Sequence, residues 1–119
     1  MLQTQTLEPA TLELLKSLQA KDILAMKLNA ISVSGQRSKD FIDIYFALDH
    51  FNIREMLRFY QEKYQQHNTT HILKSLVFFD DVDLSDWPIL LKQPDLKWTT
   101  VKNTIEKAVL DFIKQESKR

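Results

Sequence analysis

The sequence predicts an all-α fold, a single helical bundle of five to six helices within residues 1–119. Three observations carry that expectation. Glycine occurs once, at Gly35, and proline three times, at Pro9, Pro88 and Pro94. So few turn formers disfavour sandwiches, barrels and glycine-rich phosphate loops. The patterned segments repeat their apolar residues at helical rather than alternating spacing. Residues that cap helices stand at the starts of those segments.

The elements follow in order. Pro9 suits a first helical turn, and Leu12, Leu15 and Leu18 give a helix over 9–20. Asp22 is a candidate cap for a second helix to about Val33, although no strong breaker separates the two. Gly35 reads as a C-terminal cap, and Ser38, after the polar Gln36-Arg37, as the N-cap of a third helix to about Leu48. Asn52 and Glu55 form a capping-box pair opening a fourth helix. Its residues Ile53, Met56, Leu57, Tyr60 and Tyr64 share one face. Thr69 or Thr70 caps a fifth helix to about Phe79. Residues 80–97 are acid-rich, broken by Pro88 and Pro94, and expected to be irregular, with Trp87 and Trp98 pinning them to the core. Thr99 or Thr100 opens a last helix to about Glu116, striped by Val101, Ile105, Ala108, Val109 and Phe112.

Composition removes several function classes. With 44% hydrophobic and 27% charged residues, the chain has material for one ordinary core. There is no cysteine, hence no disulfide framework and no thiolate metal site. Sixteen basic residues balance sixteen acidic ones, so the global basic footprint of non-specific nucleic-acid binding is missing. No apolar run approaches the roughly 20 residues that span a membrane. The first residues lack a basic-then-apolar leader pattern, and a cytoplasmic location without membrane contact is expected. Asp81-Val82-Asp83-Leu84-Ser85 begins like a calcium loop, but Asp86 stands where that loop needs glycine and Lys92 where it needs glutamate. His67 and His71 lack a third ligand nearby, so zinc is not expected. No metal ligands are assigned.

Two polar features stand among apolar neighbours. Lys27 lies four residues from both Ile23 and Ile31 and beside Met26 and Leu28. It either snorkels from the core edge or points into a cleft. The third helix is apolar nearly all round except for Asp40, Asp43, Ala47 and His50. That line is either a narrow solvent-facing stripe or a carboxylate pair able to orient a lysine or hold magnesium.

The ordered stretch Asp22-Ile23-Leu24-Ala25-Met26-Lys27, then Arg37-Ser38-Lys39-Asp40-Phe41-Ile42-Asp43, resembles the carboxy-terminal helical half of AbiEii/AbiGii-type nucleotidyltransferase toxins. These belong to the DNA polymerase β-like nucleotidyltransferases. Ser75-Leu76-Val77-Phe78-Phe79-Asp80-Asp81, Pro88 and Trp98-Thr99-Thr100-Val101-Lys102 extend the likeness, which covers roughly residues 22–105. Residues 1–21 are read as an amino-terminal helix or extension, and 22–117 as the AbiEii-like region.

The resemblance implies a bacterial toxin–antitoxin or abortive-infection setting. It implies that Lys27 contacts nucleotide phosphates, as a catalytic and nucleotide-binding residue, and that Asp40 and Asp43 support the active site. The family's catalytic lobe carries Gly-Ser and an Asp-x-Asp pair that binds magnesium, and neither occurs at a plausible place here. The expectation is therefore a helical domain inactive alone and without cofactor in isolation. Magnesium and a nucleoside triphosphate would join it once a partner, or a second copy, completes the site. An antitoxin is an expected partner, and RNA, transfer RNA in particular, is the acceptor by family analogy. The alternatives are a helical interaction module of the antitoxin or immunity kind, or a non-functional remnant. With the lobe missing, an exposed apolar patch is expected around Phe78, Phe79, Trp87 and Leu90.

Overall fold

The computed structural model describes residues 9–85, 87 and 93–117, with side chains from Ser17 onward. Five helices and no strand occur among them: α1 Pro9–Val33, α2 Ser38–Ala47, α3 Ile53–Tyr64, α4 Thr70–Leu76 and α5 Trp98–Ser117. The fold is all-α. The three shorter helices α2, α3 and α4 each pack against both long ones, α1 and α5.

The segments 9–20 and 22–33 form one helix, so Asp22 is not a cap. It lies within α1 and pairs with Lys63 of α3 at 2.5 Å. The inner face of α1 buries Leu24, Ala25, Leu28 and Ile31. Its last turn closes with the Ser34 amide donating to the Ala30 carbonyl, and Gly35 follows at φ +67°. That left-handed conformation favours glycine, and a Cβ there would meet the Ile31 carbonyl oxygen at 3.3 Å. The chain reverses over four residues, 34–37, and α2 returns against α1.

Ser38 is the first residue of α2 rather than its cap. Extended Arg37 occupies the cap position and makes no side-chain capping bond. The Ser38 side chain is fully buried and its hydroxyl finds no partner. By contrast, both halves of the Asn52–Glu55 capping box form, at 2.8 and 3.0 Å. In α4 the helix stops at Leu76, short of the expected Phe79. Phe79 is drawn instead into an aromatic cluster with Phe41 and Trp98, its ring 5.5 Å from each. α5 begins at Trp98, one residue before the expected threonines. Trp87 meets Trp98 edge-on at 6.4 Å, so the two tryptophans do pin the acid-rich segment to the core. A parallel bridge of Arg37 with Asp83, through the Asp83 amide and the Gln36 carbonyl at 2.8 Å, ties the same segment to the α1–α2 turn.

Two substitutions at this turn should act in opposite directions. Gly35→Ala forces a side chain into a left-handed residue and should cost about 1 kcal/mol. Ser38→Ala removes a buried hydroxyl without a partner and should raise stability by up to about 1 kcal/mol. Urea unfolding of both variants checks the pair; a destabilised Ser38→Ala would mean that the hydroxyl is satisfied in solution.

Candidate functional site

The short turn after α1 brings the start of α2 alongside Lys27. Its ammonium donates to Asp40 Oδ1 at 3.1 Å and lies 2.9 Å from Asp43 Oδ2. One lysine thus closes the pair of carboxylates that the sequence placed on one helical line. The two differ sharply in exposure. The Asp40 side chain is 5% exposed, that of Asp43 49% and that of Lys27 26%. Asp40 sits in the first turn of α2, where the helix dipole favours a negative charge. Its neighbours Phe41, Ile42 and Ile44 are buried.

The stripe as a whole therefore does not face solvent. Asp40 is inside, Ala47 packs against the core, and His50 is exposed in the turn beyond the helix, apart from the other three. Of the two readings of Lys27, the structure supports a core-edge lysine whose tip is held in place. Burial pulls the Lys27 pKa down, but hydrogen bonds and charge attraction from Asp43 and Asp40 outweigh it, so the ammonium titrates above the ordinary lysine range.

A divalent cation does not fit between these carboxylates as they stand, because the ammonium occupies the space between them. No group of three or more His, Asp or Glu side chains able to hold a metal occurs among the described residues. His71 is engaged elsewhere, its Nε2 3.1 Å from the Tyr60 hydroxyl. No helix of the described residues is long and apolar enough to cross a membrane.

The sequence reading missed a cleft of about 350 Å³ between the start of α3 and α5. Arg54 there pairs with Glu116 at 2.5 Å and stacks on Phe112, 5.3 Å from the ring centre. Nothing local marks it, since Arg54 and Glu116 are distant in sequence. The expected patch residues divide. Phe78 is half-exposed, Phe79 and Trp87 are packed against the core, and Leu90 lies outside the described residues.

Because Asp40 is buried, Lys27→Met alone strands a carboxylate and should cost about 1–3 kcal/mol at neutral pH. Lys27→Met with Asp40→Asn removes both charges and should recover most of that loss. A lysine whose native pKa is raised contributes its full stability below its unfolded value of about 10.4 and loses it as pH rises through the native value. The stability advantage of the wild type over the double variant should therefore be constant from about pH 7 to 9 and shrink above about pH 10.5. Urea unfolding across that range is the measurement.

Comparison with known proteins gives a family for the chain. The family described as nucleotidyl transferase AbiEii toxin, type IV TA system, matches residues 4–115. The uncharacterized protein aq_aa25 of Aquifex aeolicus (strain VF5) is 36% identical over 63 residues, which is 51% of this chain and 30% of that protein. The match thus takes in less than a third of that relative's length. No solved structure matches. With the family match running over nearly its whole length, the chain belongs to the AbiEii nucleotidyl transferase toxin family.

Proposed function

We propose that this chain forms the helical part of a nucleotidyltransferase site and presents Lys27 to the phosphates of a nucleoside triphosphate. The observation that carries the reading is the held lysine: a cation at an apolar helix edge, fixed by one buried and one exposed carboxylate. In this reading Asp40 is a positioning residue. It keeps the ammonium extended and charged, and its burial leaves it no contact with substrate. Asp43, half in water, is the carboxylate that turns aside when a phosphate oxygen takes its place on the ammonium. Desolvation at the helix edge strengthens that contact relative to bulk water.

Nucleotidyl transfer also needs charge neutralisation at the reacting phosphate, which metal ions supply in chemistry of this type. The Lys27 ammonium already fills the space between Asp40 and Asp43. In this reading the metal-binding carboxylates come from a partner that completes the site, and the domain is inactive without it. In a type IV toxin–antitoxin family an antitoxin is the natural class of partner. RNA as acceptor and a cytoplasmic location belong to the same proposal.

Calorimetric titration with ATP, GTP, CTP and UTP in the presence of magnesium tests it. The wild type should bind weakly, with a Kd above about 100 μM, and Lys27→Met should weaken binding at least about tenfold. Lys27→Arg should retain most of the binding. Tight binding that survives Lys27→Met, or wild-type binding no stronger than the variant's, overturns the assignment.

A further inference from the structure

The cleft between α3 and α5 takes no part in the Lys27 contact, and none of Lys27, Asp40 and Asp43 lines it. At about 350 Å³ it lies within the roughly 300–1,000 Å³ usual for small-molecule sites. One wall is a face of α5 running from Thr104 to Gln115 at helical spacing, about 16 Å long. The other is the first turn of α3, which the Asn52–Glu55 capping box holds in shape. Leu48, Ile53, Ala108 and Phe112 give the cleft its apolar surface.

Two properties of the lining select the ligand. The first is charge. Arg54 pairs with Glu116 at 2.5 Å and Lys107 with Asp111 at 3.2 Å, so each charged side chain of the lining already has an opposite partner. A charged ligand would break one of these pairs or lie beside an unbalanced charge, whereas an uncharged one leaves both intact. The second is a flat stacking surface with a polar margin. The Arg54 guanidinium lies over the Phe112 ring, 5.3 Å from its centre, and both residues line the cleft. A flat ring entering it meets a guanidinium plane or an aromatic face to stack on. At the margin, the Thr104 hydroxyl and the Gln115 amide supply donors and acceptors. Asn52 adds its NH2 group, since its carbonyl oxygen accepts from the Glu55 amide. A plain hydrocarbon would leave those groups unmatched. An uncharged flat ring with donors and acceptors around its edge satisfies both conditions.

We infer that this cleft is a binding site for a nucleobase, held by stacking against Arg54 and Phe112 and by hydrogen bonds of its edge with Asn52, Thr104 and Gln115. Adenine, guanine, cytosine and uracil all have that chemistry: uncharged at neutral pH, flat, and polar at the edge. The base belongs either to a free nucleoside or to single-stranded RNA. A nucleoside carries no phosphate, so its binding here is independent of the Lys27 reading.

Titration with the four ribonucleosides, followed by amide NMR shifts, is the test. At least one nucleoside should move the amides of Ile53, Arg54, Ala108 and Phe112 together, with a Kd of about 1 mM. Ribose should move none of them. Arg54→Ala should weaken binding at least about fivefold through the lost stack. Gln115→Ala, at an exposed position, leaves the fold unchanged and should weaken binding about threefold. A single-stranded RNA hexamer of the same base separates the two sources. Tighter binding than the nucleoside's at these amides assigns the base to RNA, and weaker binding assigns it to a free nucleoside. No shift of these amides at about 5 mM of any nucleoside overturns the inference, as does binding that both variants leave unchanged. Benzoate moving the same amides as strongly as the nucleosides overturns it too, since Arg54 would then be taking a carboxylate.

Discussion

A carboxylate buried as deeply as Asp40 is tolerated only with a counter-charge in contact, since an unpaired charge in an apolar site costs several kcal/mol. α2 can therefore dock on α1 only in the register that brings Asp40 to Lys27. The turn at Gly35 makes that register reachable, and the burial of Phe41, Ile42 and Ile44 makes it worthwhile. The lysine stays charged because its carboxylate contacts outweigh its desolvation. One contact thus sets the packing of two helices and the direction in which a cation faces solvent. Residues that look like chemistry are here also residues that hold the architecture.

The aromatic cluster plays the corresponding part at the other end of the sequence. Phe41 of α2 meets Phe79 after α4 and Trp98 at the start of α5, and Trp87 closes on Trp98. Large rings in edge-to-face contact gain from both burial and ring electrostatics. They anchor the described part of the acid-rich stretch between α4 and α5. The single bridge between Arg37 and Asp83 brings that stretch back to the turn beside the Lys27 site.

Much of this was legible from residues whose determinants are local. The capping box at Asn52 and Glu55, the reversal at Gly35 and the stripe of α3 need only neighbours within a few positions. Lys27 was legible as an anomaly, a charge among apolar residues, and the family likeness joined it to Asp40 and Asp43. The difference between those two acids was not legible, because helical spacing says that they share a side and not which one the core covers. Asp22 and Ser38 were misread for one reason. Both are good cap formers, yet tertiary pairing with Lys63 keeps Asp22 inside a helix, and burial carries Ser38 past the cap position. The outward facing of Ile23, Met26 and Val33 was hidden because an apolar residue on a helix looks the same whichever way it faces.

The placement of α2, α3 and α4 between α1 and α5 bears on how the chain is made. The floor of the core is completed by Val101, Ile105 and Val109, all buried and all on the last helix. Everything before them has one of its two long walls but not the other. A chain leaving the ribosome from its amino terminus can form the Lys27 contact early, since its members lie only 13 to 16 residues apart. It cannot seal its interior until the residues through Val109 have emerged. Until then α1, α3 and the other early helices can pack on one another, but the sides of α2, α3 and α4 that meet α5 stay open to solvent.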